Sequence, residues 1–226
     1  MALSSEAPSQ PDGMTLDELR LALAPHIVEA AAFDGWSKQA VAEAALAIGA
    51  DRDVAAYAFK GGQMDMIAAW IAHVDSRMEE AFANEALLEI PVRERIRRLV
   101  MFRLDCAAGK EEALRRALAI MAMPQHVAKS LSLGWQSADR MWRLAGDEAT
   151  DYNHYTKRTI LGGIYAATLA VFVDDKSANK EETRAFLDRR IEGIIRFEKA
   201  KAQLLSPAEQ RFSVARFLGR LRYPAN

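Results

Sequence analysis

The residues best suited to acid–base or metal chemistry are few and widely spaced in this sequence. Of the four histidines, only His154 follows an acid at the acid-x-x-His spacing, and that acid is Asp151. A di-iron site in a helical bundle needs Glu-x-x-His pairs on two helices, and the sequence has none. Zinc-protease, dinucleotide, phosphate-loop and nucleophile-elbow signatures are absent from it as well. We therefore expect no catalytic site, no metal and no cofactor.

Aromatic, thioether and charged side chains concentrate between residues 139 and 158. Trp and Tyr anchor interfaces because each joins a large apolar area to a polar tip. Met adapts to a partner's surface, and carboxylates with a guanidinium can supply complementary charge at a rim. These residue types are compatible with binding a protein. The alternative is that Trp142 and Tyr155 are core residues and Asp151 caps the next helix.

Long apolar and Met-rich segments indicate a site for an apolar ligand. Residues 160–173 are apolar nearly all round, and Gly162 and Gly163 there allow close helix packing or leave room beside a ligand. Linings rich in methionine and aromatic residues suit such a ligand. We expect three helices to enclose an apolar, lipid-like ligand through Met66, Trp70, Leu114, Leu118, Met121, Ile160, Ile164 and Leu169. The alternative for each residue taken singly is ordinary core packing.

Composition and charge restrict the class of protein further. Half of the 226 residues are hydrophobic and the formal net charge is −1, so the molecule as a whole is not built to coat nucleic acid. The single cysteine, Cys106, excludes an intrachain disulfide and fits a reducing compartment. Residues 1–13 are polar and rich in Ser, Pro and Gly; we expect them to be disordered, with no signal or transit peptide.

The elements that must position these residues are all helical, because almost every segment has helical period and none alternates as a strand would. Thr15 with Glu18 forms a predicted capping box, and Ser37 and Asp51 are further predicted caps. The sequence predicts an all-α fold of about ten helices, over residues 16–35, 37–48, 51–59, 63–87, 91–108, 110–121, 124–144, 153–173, 180–204 and 207–222.

The first three helices resemble the DNA-binding arm of TetR-type regulators. The resemblance rests on Phe33 to Ser37, Ala42 to Ala45 and Tyr57 to Gly62. It implies a helix-turn-helix-like module over 14–62 and a larger helical ligand-binding domain over 63–205. Between Gly35 and Gly62, however, three basic residues face three acidic ones, whereas reading DNA needs an excess of cations. Nucleic acid is therefore not an expected partner, although a TetR-like transcriptional regulator with a hydrophobic effector is the alternative function.

The C-terminal segment 206–226 is predicted to contain a short basic amphipathic helix. Its apolar stripe has the spacing i, i+3, i+4 and i+7, and the net charge from Pro207 to Arg222 is +3. Such a helix suits the surface of an anionic membrane. The predicted membrane-binding residues are Arg211, Val214, Arg216, Phe217, Leu218, Arg220 and Leu221. The alternative is a helix docked on the parent domain or on a dimer mate.

Three stretches carry a second resemblance. ADRMWRLAGD at 138–147, TDYNHYTKR at 150–158 and LGGIY at 161–165 resemble the Coq-nine family of ubiquinone (coenzyme Q) biosynthesis proteins, which has a TetR-like fold. With Gly35, Trp36 and the Gly49 turn, the resemblance runs from about Leu19 to Ile191.

The resemblance implies a lipid-binding homodimer without catalytic activity. Such a protein binds an isoprenoid or phospholipid ligand and presents a quinone precursor at the membrane to the di-iron demethoxyubiquinone hydroxylase, of the Coq-seven family. It also implies a peripheral position on the bacterial inner membrane, facing the cytoplasm, or on the matrix side of the mitochondrial inner membrane. The implied hydroxylase-binding residues are Asp139, Met141, Trp142, Asp151, His154, Tyr155 and Arg158, with His154 standing where an exposed aromatic is expected.

Overall fold

The structure is a computed structural model that describes residues 13–83, 85–148 and 152–205. These residues form nine α-helices and three short 3-10 helices, and they contain no strand. The 3-10 helices are Glu85–Glu89, Pro124–His126 and Ala178–Lys180. The α-helices are α1 Leu16–Asp34, α2 Lys38–Ile48, α3 Arg52–Ala58, α4 Gln63–Ala81, α5 Val92–Ala107, α6 Glu111–Met121, α7 Val127–Leu144, α8 Tyr152–Asp174 and α9 Glu181–Leu205. The predicted all-α fold is confirmed, and the tenth predicted helix lies outside the described residues.

Local hydrogen bonds explain where the first helices begin and end. The Thr15 hydroxyl accepts a bond from the Glu18 N–H, while the Glu18 carboxylate accepts one from the Thr15 N–H, which completes the capping box. The Asp51 carboxylate accepts bonds from the first N–H groups of α3 at 2.8 and 2.9 Å. Gly49 ends α2 in the left-handed region, at φ 72°, where glycine has no steric penalty.

Two predicted helix boundaries differ from the structure by more than one residue. α4 ends at Ala81 rather than at Leu87, because Phe82 leaves the helical conformation and its ring packs edge-on against Phe102 at 5.5 Å. Pro124 begins a 3-10 turn, and α7 starts three residues later at Val127.

The three N-terminal helices pack on one another and also on the helices that follow. α1 contacts α2, α3, α4 and α6. The buried Trp36, between α1 and α2, donates from its indole nitrogen to the Ala113 carbonyl of α6 at 3.0 Å. Its ring lies 5.6 Å from that of Trp70 in α4. The helix-turn-helix-like module is therefore fixed to the larger group of helices through a buried polar contact and an aromatic pair.

Helices α4 to α8 form the rest of the first compact unit, which ends at Leu187. A second unit begins at Asp188, within α9. The start of α9 is held by the buried carboxylate of Asp175. This carboxylate accepts bonds from the backbone N–H and hydroxyl of both Ser177 and Thr183, at 2.5–2.8 Å. Burial alone would raise the pKa of Asp175, but these four donors outweigh it and hold that pKa well below its ordinary value.

Candidate functional site

A cavity of about 630 Å³ lies among α4, α5, α6, α7 and α8. This volume is in the range of sites for small organic ligands. Its walls are mainly aliphatic and aromatic, and the glycines Gly134 of α7 and Gly162 and Gly163 of α8 also line it. Two lining residues on α7, Val127 and Leu131, are exposed to solvent, so the cavity has an apolar rim at the surface.

The structure brings five of the eight predicted lipid-binding residues to this cavity: Trp70, Leu114, Leu118, Met121 and Leu169. The other three, Met66, Ile160 and Ile164, do not line it. Met66 is buried elsewhere in the core, one helical step of about 100° from the lining residue Ile67. On α8 the lining positions are centred on Gly162 and Ala166. Ile160 and Ile164 each lie two residues from these positions, which is a rotation of about 200° and places them on the opposite side of the helix.

One wall of the cavity is polar, although the sequence patterns did not predict it. Arg103 of α5 and Ser137 of α7 both line the cavity and are buried. Arg103 forms an ion pair with the buried Asp75 of α4 and donates to the Ser137 hydroxyl at 3.1 Å. Asp75 also accepts a bond from Arg140 of α7 at 2.7 Å. Three helices therefore meet at one buried carboxylate.

Electrostatics keeps Arg103 charged in this environment. Burial disfavours the guanidinium charge, but Tyr165 and Asp75 beside it outweigh that effect, and the pKa of Arg103 lies above its ordinary value. The Tyr165 ring covers the guanidinium with its centroid 5.0 Å from the Arg103 Cζ. A signal for this site existed in the sequence. Arg103 falls on the buried stripe of α5, at i+4 from Leu99 and i+3 from Val100, where an unpaired charge would be costly.

Several residues of the predicted partner surface instead join α7 to α8. The buried Arg158 donates from Nε to the Asp139 carboxylate at 2.5 Å and from an Nη to the Asp147 carboxylate at 3.1 Å. Lys157 adds a 2.5 Å contact to Asp147. Burial raises the pKa of Asp147, but the bonds from Lys157 and Arg158 prevail and lower it. The Trp142 indole donates to the Lys157 carbonyl at 3.0 Å.

Met141 is a correction to the predicted surface. The structure places its side chain fully in the core, because it continues the buried stripe of α7 formed by Ser137, Ala138 and Ala145. Arg158 is likewise buried, with its guanidinium engaged by carboxylates inside the protein. Asp151 lies outside the described residues.

An aromatic cluster remains at the surface, formed by the half-buried Trp135 and His154 and the exposed Tyr155. Tyr155 is 61% exposed, and its ring centroid lies 5.9 Å from that of Trp135 and 5.1 Å from that of His154. Leu131, one turn before Trp135 on α7, is 70% exposed. The aromatic cluster is therefore next to the cavity rim, because Trp135 also lines the cavity and lies one turn from the rim residue Leu131.

The described residues lack both a metal-binding cluster and a membrane-spanning helix. In the part of the chain that the structure describes, no group of three or more His, Cys, Asp or Glu side chains could hold a metal ion. None of the described helices is both long and apolar enough to cross a membrane. The seven predicted membrane-binding residues, from Arg211 to Leu221, lie outside the described residues.

Comparison with known proteins identifies the relatives of this chain. Residues 127–198 match the COQ9 family model. The chain is 33% identical to "Ubiquinone biosynthesis protein COQ9, mitochondrial" of Rattus norvegicus and 31% identical to the protein of that name from Homo sapiens, each over 182 residues. Both matches cover 77% of this chain, whereas the chain spans only 58% and 57% of those relatives.

A solved structure supports the fold. The chain is similar to the crystal structure of a TetR transcriptional regulator from Nitrosomonas europaea ATCC 19718, with a TM-score of 0.61 and 23% identity. The match covers 77% of this chain and 97% of the regulator, so the expected TetR-like fold is confirmed. This chain is therefore similar to the COQ9 proteins over 182 residues, matches their family model over residues 127–198, and has a TetR-like helical fold.

Proposed function

We propose that this protein is a lipid-binding accessory protein of ubiquinone biosynthesis. It binds an isoprenoid quinone precursor and presents it to the demethoxyubiquinone hydroxylase at the membrane, without catalysing a step itself. The observation that carries the proposal is the cavity of about 630 Å³, walled mainly by apolar side chains and open at an apolar rim. The pathway in the proposal is that of the COQ9 relatives, which are ubiquinone biosynthesis proteins.

The lining is suited to a flexible hydrocarbon. Burying apolar surface yields about 25 cal/mol for each Å², and the gain does not depend on direction, so an isoprenoid tail needs no specific polar contact along its length. Leu114, Leu118 and Met121 of α6 line the cavity, and Gly162 and Gly163 of α8 add no bulk to it.

The lipid part of the proposal is tested by mass spectrometry of lipids extracted from the purified protein. The expected result is an isoprenoid or phospholipid ligand at close to one equivalent per chain. Protein that is repeatedly empty, whatever the host and the extraction, would overturn the assignment of the cavity.

The pathway part is tested in a strain that lacks the gene. If the protein serves the hydroxylase, the strain accumulates demethoxyubiquinone and loses ubiquinone, and the full-length gene restores the normal profile. Normal quinone content in the deletion strain would remove the protein from this pathway.

The proposal assigns the hydroxylase to the aromatic cluster of Trp135, His154 and the exposed Tyr155. Aromatic residues with a polar edge dominate binding energy at interfaces, and Tyr155 presents most of its ring to solvent. The partner would then dock beside the cavity rim, which Trp135 also lines, and the lipid would have a short path to it.

A homodimer is also part of the proposal, and sedimentation of the purified protein tests it.

Membrane contact is assigned to residues 207–222, whose net charge is +3. The protein would then be peripheral on the inner membrane, on the cytoplasmic side in a bacterium. Truncation after Leu205 should abolish binding to vesicles that contain anionic lipid and leave the melting temperature of the helical domain unchanged. Equal vesicle binding by the truncated and full chains would contradict the assignment.

A further inference from the structure

The polar wall of the cavity contains a hydrogen-bond donor that finds no acceptor in the described part of the chain. Arg103 is 3% exposed, lines the cavity, and uses its two Nη groups on Asp75 and Ser137. Its Nε is buried and has no hydrogen-bond partner among the described residues. Buried donors are nearly always paired in native proteins, so an unpaired one on a side chain that lines a cavity marks a place for an acceptor from outside the chain.

The surrounding charges determine what kind of acceptor fits. Asp75 already balances Arg103 and receives a second guanidinium from Arg140, which also approaches Glu79 at 3.4 Å. The charges of these four groups sum to zero. The wall therefore offers the Arg103 Nε–H as a donor but has no net positive charge. Such a site suits an uncharged oxygen better than an anion, because an anion would have to be buried without its own counter-charge.

We propose that Arg103 is the polar recognition group of the cavity and binds an uncharged acceptor oxygen of an amphipathic lipid. Carbonyl, hydroxyl and ether oxygens all qualify. The oxygen-bearing end of the ligand then lies at the buried wall between α5 and α7, beneath the Tyr165 ring. The hydrocarbon part runs along α6 and α8 towards the rim at Val127 and Leu131. This inference rests on the proposed function, because it requires that the cavity hold a lipid.

The experiment compares two ligands with the same tail. Decylubiquinone carries ring oxygens, whereas 1-phenyldecane has the same ten-carbon chain on a ring without oxygen. Equilibrium dialysis against the full chain should show about tenfold tighter binding of decylubiquinone, the factor expected for one hydrogen bond to a charged donor. Equal affinities in the unaltered protein would overturn the proposal by themselves.

Two matched variants assign the effect to one side chain. Arg103→Lys keeps a cation beside Asp75 and removes the Nε–H, so decylubiquinone should lose most of its tenfold advantage while phenyldecane binds as before. Arg140→Lys changes the other guanidinium on the same carboxylate but does not line the cavity, so the ratio should be unchanged. A ratio that survives in folded Arg103→Lys, or falls equally in both variants, would contradict the role of Arg103.

The outcomes separate this inference from the proposed function. If neither ligand binds the unaltered protein, the cavity is not a lipid site and both proposals fail. If both ligands bind with equal affinity, the lipid site stands and only the oxygen-recognition role is lost. If Arg103→Lys does not fold, as thermal melting would show, the comparison of the two ligands on the unaltered chain decides the question.

Discussion

Arg158 is a residue whose predicted role at a protein interface differs from its role inside the folded protein. Its charge and its place in the COQ9-like stretch favoured an interface, yet its guanidinium is buried and bonded to Asp139 and Asp147. Removing one partner from a buried ion pair leaves an uncompensated charge, so Arg158 holds α7 and α8 together. Trp142 is a similar case, because its indole bonds to the Lys157 carbonyl. Neither residue gives a clean test of docking.

Tyr155 does give such a test. Tyr155→Ala should weaken binding of the hydroxylase by about 30-fold, the loss of about 2 kcal/mol typical of an interface hot spot, because most of the ring is exposed. The melting temperature should stay close to that of the unaltered protein, since exposed side chains contribute little to stability. Surface plasmon resonance with the purified hydroxylase measures the dissociation constant.

Phe33→Ala is the matched control for Tyr155→Ala. Phe33 is 85% exposed but lies at the end of α1, in the helix-turn-helix-like module. Its removal should leave hydroxylase binding unchanged. An equal loss of hydroxylase affinity in the two variants, or no loss in Tyr155→Ala, would show that the aromatic cluster is not the hydroxylase-binding surface.

Asp175 makes the stability of the protein depend on pH. Asp175→Ala should lower the free energy of unfolding by about 2 kcal/mol at pH 7, because the start of α9 loses a buried carboxylate that accepts four bonds. Urea unfolding of both proteins at several pH values measures the difference.

The sign of the pH effect follows from the pKa. The folded-state pKa of Asp175 lies below its ordinary value of 3.8, so the carboxylate stabilises the fold fully above that value. The contribution is lost as the pH falls below 3.8 towards the folded-state pKa. The difference between the two proteins should therefore shrink between pH 4 and pH 2. A difference that stays constant over this range would show that the charge of Asp175 is not what stabilises the cap.

At the scale of helices, the sequence predicts where a helix begins and ends better than it predicts which side of the helix lines the cavity. The caps at Thr15, Ser37 and Asp51 involve atoms within three residues, so the local sequence contains all the information. The orientation of α8 is different, because an apolar surface nearly all round gives no direction. Ile160 and Ile164 therefore could not be separated from Leu169 without the packing of α6 and α7 against α8.

The polar wall could have been predicted in part. A charged residue on the buried stripe of α5 indicates an internal partner, but nothing in the sequence identifies Asp75 as that partner, 28 positions earlier. Long-range pairs of this kind depend on the tertiary arrangement. The same holds for Trp36 and Ala113, which are 77 positions apart.

Gly134 of α7 gives control over the volume of the cavity. It lines the cavity, its φ is not in the left-handed region, and a Cβ added there would meet no atom within 4 Å. Gly134→Leu should therefore fill part of the cavity and lower the amount of lipid recovered with the protein at least severalfold. Stability should rise by up to about 1 kcal/mol, because glycine is a poor helix former.

Gly134→Ala is the control for this prediction. It gains the same helix propensity but adds only a methyl group, so lipid recovery should be close to that of the unaltered protein. Quantitative lipid extraction and thermal melting of both variants distinguish the effect of a smaller cavity from the effect of a more stable helix. Undiminished lipid in Gly134→Leu would show that the ligand lies elsewhere.

At the scale of the whole molecule, a TetR-like fold does not carry the function of a regulator. Two of the acids counted in the module, Asp51 and Asp53, stand at the start of α3, and the exposed residues of α3 include Val54 and Tyr57. A helix with carboxylates at its start and apolar or aromatic residues at its surface does not suit binding to the negatively charged phosphate backbone of DNA. The N-terminal module is also joined to α6 and α4 through Trp36, so we interpret it as part of one packed body.

Duplex DNA should consequently not bind at micromolar protein concentration, even in 50 mM salt. Fluorescence anisotropy with labelled duplexes of mixed sequence provides the measurement. Binding that is tight and falls steeply with added salt would instead indicate neutralised phosphates, and the regulator function would have to be reinstated.

The pairing of Trp36 with Trp70 has an optical consequence. Two of the four tryptophans, Trp70 and Trp135, line the cavity, and Trp70 lies 5.6 Å from Trp36. A hydrocarbon in the cavity would replace water beside those two indoles and shift their emission to shorter wavelengths. At this separation, excitation energy passes readily between Trp70 and Trp36. The protein thus contains its own fluorophore at the ligand site, and its ultraviolet emission spectrum registers whether the cavity is filled.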